Sequence, residues 1–424
     1  MRPVLARLTG WNGLAEAEAW GALPATGVAR FGRVLAAGGA AMLAAACVFK
    51  LAPMHAAAGA VVAGCLLARA PVARMPAFWP LLLMLPWAMV SALASGHPNP
   101  IGGWGYLYVP IIIPFLLCAL AALPWAPAAA AAGLALGVVA HTGVAALQFL
   151  VGFDSSAPLG ISSAGPRLES APGFLSGNVG PSMLLGGAAL VLWLRRPDRG
   201  ALGVLAWAGR CAAVSGLVML KSRAVVMAVV AAALTLATRS PRHRWRIIGL
   251  AAAILVAATA VLAWHDPSRL ARMARLEDGR VLYWKLAAHD IAAAPVIGHG
   301  GQRAFADGVR DRWAEVHGAR GFEAVVTYNV HNTPLNFAVF HGIPAMLLHL
   351  VALALLAAAA WRAGPAGAAV AVFWVVCGMF DATFTSQRTA YAMAVTMALA
   401  MAVAMRRDQG PAGTIPRPRA IASS

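Results

Sequence analysis

Twelve mostly apolar runs, divided by short turns and one long polar interval, constrain this chain more than any other feature. They fall at about 33–49, 53–69, 77–95, 107–123, 127–150, 179–194, 203–221, 223–238, 246–264, 334–360, 365–382 and 389–405. A helix that crosses a bilayer needs about 20 mostly apolar residues. Backbone amides in hydrocarbon must also be satisfied inside their own segment, so runs of this kind fold as helices. Hydrophobic residues make up 61% of the chain and charged residues 11%, against about 25% charged in soluble domains. The expectation is an all-α polytopic membrane protein with about 12 transmembrane helices and one large, mainly helical insert outside the membrane. Residues 1–264 hold the first nine spans, 265–333 the insert and 334–405 the last three spans. The stretch 406–424, with its prolines and serines, reads as a disordered tail.

Arginines orient the spans. With the N-terminus inside, the inner loops carry Arg69 and Arg74, Arg195, Arg196 and Arg199, Arg239, Arg242, Arg244 and Arg246, then Arg362, then Arg406 and Arg407. The outer turns carry few charges, so the pattern obeys the positive-inside rule. Both termini are expected in the cytoplasm and the insert outside. The net charge of +18 belongs to these short loops beside apolar spans, which argues against nucleic acid as a partner. All five cysteines (Cys47, Cys65, Cys118, Cys211, Cys377) lie in apolar runs and read as packed small hydrophobes, not disulfides. Residues 1–30 are mixed polar, and the first apolar run reads as a retained span rather than a cleaved signal.

The insert holds eight of the fifteen acidic residues: Asp266, Glu277, Asp278, Asp290, Asp307, Asp311, Glu315 and Glu323. Nine basic residues nearly balance them, which suits a folded, translocated segment. Residues 280–294 predict an amphipathic helix with Val281, Trp284, Leu286, Ala288 and Ile291 on its apolar side. A turn, Pro295-Val296-Ile297-Gly298-His299-Gly300-Gly301, follows it. The insert closes on Tyr328-Asn329-Val330-His331-Asn332-Thr333-Pro334, where His331 meets the next span.

With this topology, Lys221, Arg223, Arg280, Lys285, His331, Asp381 and Arg388 share one outer layer. Ionisable groups at membrane depth are costly and mark function by default. Guanidinium groups present a planar fork to phosphate oxygens, and imidazole accepts a proton from a hydroxyl. Together they suit a phosphate-bearing lipid and a proton transfer. Blander readings stand beside these. Arg223 reads equally as a snorkelling anchor, Arg280 as a solvated helix residue, and His331 as part of the cap of the span at Pro334. His141, His341 and His349 read as packing residues inside spans. No His/Cys/carboxylate cluster has zinc spacing, and there is no Walker A loop, GxSxG elbow or dinucleotide fingerprint. No metal, cofactor or nucleotide is expected.

Ser222-Arg223, Arg280 with Trp284, Pro295-x-x-Gly298-x-Gly300, His331-Asn332-x-x-Leu335 and Gly342, in that order, resemble the O-antigen ligase/polymerase superfamily. Within it the chain is most similar to the O-antigen ligases (WaaL type). The motifs run from Ser222 to Gly342, and the layout of twelve spans with one large periplasmic insert resembles the family over most of the chain. The resemblance implies a multi-pass glycosyltransferase of the bacterial inner membrane with its active site at the periplasmic face. It implies transfer of a glycan from undecaprenyl diphosphate to a sugar hydroxyl of lipid A–core, inverting and without a metal. Carried over by position, Arg223 and Arg280 bind the donor diphosphate and His331 is the general base. Lys221, Arg303, Tyr328 and Asp381 are secondary candidates.

Two other readings stay open. An O-antigen polymerase, or a protein O-oligosaccharyltransferase of the same superfamily, uses the same donor with a different acceptor. A lipid-linked glycan flippase is a transporter, and transporters place polar groups at the membrane midplane, whereas the charges here gather at one face.

Overall fold

The computed structural model describes residues 13–47, 51–96, 108–151, 179–195, 200–220, 222–265, 279–301, 309–317, 330–381, 383 and 387–408. Among them all regular structure is helical and no strand occurs. The helices are α1 (Gly13–Ala22), α2 (Gly27–Ala46), α3 (Leu51–Leu67), α4 (Phe78–Ala94), α5 (Tyr108–Ala121), α6 (Ala126–Val151), α7 (Val179–Leu194) and α8 (Gly200–Leu220). After them come α9 (Arg223–Arg239), α10 (Arg244–His265), α11 (Gly279–Ala293), α12 (Val309–His317), α13 (Thr333–Ala363), α14 (Pro365–Phe380) and α15 (Gln387–Asp408).

A helix occupies each of the twelve apolar runs. By length and composition, four are sufficient to cross a membrane: Gly27–Ala46, Ala126–Gln148, Gly200–Leu217 and Thr333–Ala363. Ala224–Arg239 and Pro241–Val256 pass together as a fifth, but bend by 118° at their junction. Five other apolar helices are shorter. Large apolar side chains face outward along many of them, among them Leu66, Val90, Leu136, Leu150 and Val204. Exposed apolar side chains in such number suit lipid rather than water, and with the long apolar helices they mark a membrane protein.

The last helix is the axis of the bundle. Every side chain of α15 from Thr389 to Ala402 is buried, against α5, α7, α14 and α13. That run is almost wholly Ala, Met, Val and Leu, the composition of a helix apolar on all sides. At the edge, α2 crosses α3 through Gly32, Gly39 and Gly64, where an added Cβ would meet the facing backbone. Small residues at such crossings let helices approach closely in a membrane. Helix α1, in a region the sequence reads only as mixed polar, lies at the ends of α3 and α5: Glu16 pairs with Arg74 at 2.9 Å, and Gly21 abuts Ala121.

Helix α11 falls where a helix was expected, but its buried face differs. Tyr283, Leu286, Ala287 and Asp290 are buried, whereas Ala288 is exposed. The spacing i, i+3, i+4, i+7 is a helical stripe. It is set by packing on α13 and α12, and its polar member Asp290 is paired with Arg312 at 3.1 Å. One cysteine also departs from the sequence reading: Cys211 is exposed, while Cys47, Cys65, Cys118 and Cys377 are buried.

Helix α13 breaks at Gly342, which sits at φ +81°. The turn 295–301 repairs the break. His299 N–H donates to Val339 O at 2.9 Å, Gly300 N–H to Phe340 O at 2.8 Å, and Ile343 N–H to Pro295 O at 2.8 Å. Helix α4 supplies further partners: Ser91 Oγ donates to Ile297 O at 2.6 Å and Trp87 Nε1 to His341 O at 2.8 Å. Carbonyls freed at a helix break must find donors, and here they find them in the insert and a neighbouring helix.

Candidate functional site

The site is built where α13 begins. Asn332 caps it, its side chain accepting from Leu335 N–H at 3.0 Å, and Pro334 stands in the first turn, where a missing N–H is harmless. The same Asn332 donates from Nδ2 to Met379 O at 3.0 Å. Thr333 Oγ1 donates to Asp381 O at 2.8 Å and accepts from Thr383 N–H at 2.9 Å. The start of α13 is thereby tied to the end of α14 by buried hydrogen bonds.

That tie brings His331 to Asp381, fifty residues away in the chain. His331 Nδ1 lies 3.3 Å from Asp381 Oδ1. Asp381 is 13% exposed at its side chain and His331 23%, so the pair is mostly enclosed with the imidazole partly open. When Nδ1 is the donor to the carboxylate, Nε2 carries the lone pair, the arrangement of an oriented base. His331 also sits at φ +52°. For a residue with a Cβ, that left-handed conformation costs roughly 1–2 kcal/mol. Strain retained at one residue among well-satisfied neighbours is a pointer to function.

Helix α11 closes the other side. The Tyr283 ring meets the His331 ring edge-on, centroids 5.8 Å apart. Trp313 of α12 backs Tyr283 at 5.7 Å, and the buried Asp290–Arg312 pair holds α12 to α11. Arg280, half-buried, is three residues before Tyr283 and therefore on the same helix face.

Arg223 is the first residue of α9; its side chain is outside the described residues. The helix itself is placed. α9 packs along α14, with Arg239 bonded to Trp361 O at 2.7 Å just before α14 starts, and with Val225 and Phe373 both converging on Gly186. The two helices are antiparallel, which sets the backbone of Arg223 at the Asp381 end. Lys221, Arg303 and Tyr328 lie outside the described residues. His341 bonds to Ser91 and His349 stacks on Phe337, so both pack the interior, and His141 is also buried. Among the described residues, no group of three metal-ligating side chains is close enough to hold an ion. An open cleft of about 520 Å³, lined by Ala94, Ser95 and 294–299, lies beside the break in α13 and contains none of these residues.

The sequence reading missed Tyr283 and Thr383, and it offered Thr333 only as a helper in the cap of the span at Pro334. Tyr283 was reachable, because it shares a face with Arg280. The two threonines were not, because their role depends on how α13 meets α14.

Residues 208–350 match a family model described as O-Antigen ligase. That match supports membership of the O-antigen ligase/polymerase superfamily. Members are glycosyltransferase-like ligases and polymerases, which supports an enzyme role in general terms. The segment is roughly a third of the chain and contains Arg223, Arg280 and His331, whereas Asp381 lies beyond it. No curated protein matches the chain.

Proposed function

We propose that this protein is an O-antigen ligase (WaaL type) of the bacterial inner membrane. It takes a glycan from undecaprenyl diphosphate and joins it to a sugar hydroxyl of lipid A–core at the periplasmic face, inverting the anomeric centre and using neither nucleotide nor metal. The observation that carries this reading is the enclosed His331–Asp381 pair, whose histidine lies in the family-matched segment with Arg223 and Arg280.

His331 Nε2 takes the proton of the acceptor hydroxyl as its oxygen bonds to the anomeric carbon. The bond from that carbon to the diphosphate breaks, and undecaprenyl diphosphate leaves with the electron pair. Asp381 holds the imidazole in the tautomer that keeps the lone pair on Nε2 and steadies the imidazolium once formed. Arg223 and Arg280 bind the diphosphate and stabilise the charge that grows on it, a contribution on the order of 10²–10³ in rate per donor. Lys221, Arg303 and Tyr328 remain secondary candidates. Beyond the break at Gly342, residues 343–363 are long enough, at about 31 Å, to cross the hydrocarbon alone. The nine residues 333–341 then stand at the membrane face, which suits a site that meets a lipid-linked donor and a lipid-anchored acceptor. With about twelve crossings and both termini in the cytoplasm, that face is the periplasmic one.

The test is reconstitution of purified protein with undecaprenyl-diphosphate-linked glycan and O-antigen-free lipopolysaccharide, without ATP or metal, read by gel shift. Ligated lipopolysaccharide that disappears with His331→Ala supports the ligase. Lengthened lipid-linked glycan instead means a polymerase. Neither product, with glycan crossing proteoliposomes, means a flippase.

A further inference from the structure

Two groups of arginines stand out at the end of the bundle opposite His331. One group caps helices. Arg33 donates to Trp20 O, Gly21 O and Leu23 O and lies over the Trp20 ring. Arg210 donates to Leu192 O and Arg195 O between Trp193 and Trp207. Arg239 donates to Trp361 O and lies over that ring. Each satisfies the C-terminal carbonyls of another helix, where a cation is favoured.

The other group does none of this. Arg242, Arg244 and Arg246 are exposed at the turn between α9 and α10, and no ion pair or hydrogen bond from their side chains is found among the described residues. The sequence holds no acidic residue between Asp198 and Asp266, so none is nearby in the chain to neutralise them. Between them Trp245 is 79% exposed, more than any other large apolar side chain described. Arg239, fixed to Trp361 where α13 ends, sets this turn about one length of α14 from Asp381, roughly 24 Å.

Below the turn the surface is apolar. Among the described residues, helix α10 packs mainly on α9. Leu250, Leu255 and Val256 face outward along it, and Leu250 is one turn below Arg246, on the same face. A guanidinium cluster above an apolar flank, with an indole at the boundary, matches a molecule that is anionic at one end and aliphatic at the other. Arginine forks suit phosphate oxygens, and indoles favour the headgroup level. An acidic peptide or free phosphate uses the cluster but leaves the flank bare.

We propose that the turn Arg242-His243-Arg244-Trp245-Arg246, with the outer flank of α10, is a binding site for anionic phospholipid, remote from and independent of the His331 site. It holds a headgroup phosphate between the arginines with Trp245 beside the glycerol level.

The test uses the full-length protein in neutral detergent, titrated with brominated phosphatidylglycerol or brominated phosphatidylcholine while tryptophan fluorescence is read. Wild type is expected to quench with the anionic lipid at on the order of 10²-fold lower amounts than with the zwitterionic one, at about 1 kcal/mol per basic residue and low salt. The triple change Arg242→Gln, Arg244→Gln, Arg246→Gln removes the preference, and the triple change to lysine keeps most of it, which separates lost charge from lost fold. Trp245→Phe removes the excess quench by the anionic lipid over the zwitterionic one. Equal quenching by both lipids in wild type, a preference that survives the glutamine changes, or an undiminished quench in Trp245→Phe overturns the site. So does full competition by millimolar inorganic phosphate, which means a free-anion site, or a lipid-insensitive dimer that covers Trp245, which means a protein interface.

Discussion

At the residue scale the decisive contact is His331 with Asp381. The left-handed backbone of His331 allows a clean substitution, because asparagine adopts that conformation more readily than most residues. His331→Asn is therefore expected to keep the fold, with an unchanged melting temperature, while initial rates of glycan transfer fall on the order of 10²–10⁴-fold. A melting temperature that drops with activity would make His331 a structural residue. Asp381→Asn keeps the backbone carbonyl that accepts from Thr333 but no longer selects the imidazole tautomer. Transfer is expected to fall by at least about tenfold, and up to the order of 10⁴, the loss for this change in the serine-protease triad. The loss should lie in kcat with little change in KM for the donor. A change confined to KM would assign Asp381 to binding instead. The signal for His331 in the sequence was its place where the polar insert re-enters an apolar run. Asp381 gave a weaker one, a lone carboxylate near a span end, and nothing local tied the two together.

At the element scale the break in α13 matters most. Gly342 is required twice over. Its φ of +81° is one that residues with a Cβ rarely adopt, and a Cβ there overlaps the Val296 carbonyl. Gly342→Ala is expected to cost about 2–5 kcal/mol, combining the left-handed conformation with forced repacking of the turn. Thermal unfolding in detergent measures it, and a loss under about 1 kcal/mol would show that the turn 295–301 yields easily. Because the same turn meets Ser91 and Trp87 of α4, loosening it should also lower transfer by letting the start of α13 shift. The apolar periodicity of α13 in the sequence runs through Gly342 without interruption, so the break is legible only as an isolated glycine beside Pro344. Its partners, almost fifty residues upstream in the insert and some 250 upstream in α4, were out of reach.

At the scale of the whole molecule, sidedness is the open physical quantity. The charge asymmetry predicts that Lys285 and Arg242, both exposed, lie on opposite faces. With the exposed Cys211 replaced by serine, Lys285→Cys in intact cells is expected to react with a membrane-impermeant maleimide and Arg242→Cys to react only in inverted vesicles. Labelling of both positions from one side would overturn the orientation and with it the periplasmic placement of the site. The burial of α15 on all sides is also a property of the whole bundle, since the sequence makes this span no more apolar than its neighbours.

Helix positions, the polar interval at 265–333 and the residue types of the candidate site follow from the sequence alone. Each rests on local composition and spacing, and a bilayer leaves an apolar run of that length almost no alternative to a helix. Which residues meet was decided by the tertiary structure. His331 finds Asp381 because buried threonine and asparagine hydrogen bonds join the start of α13 to the end of α14. Tyr283 reaches them because α11 packs on α13, and the Arg242–Arg246 turn is left exposed because, among the described residues, α10 packs mainly on α9. Those outcomes depend on which helix faces fill one another's grooves, and no local stretch of residues encodes that.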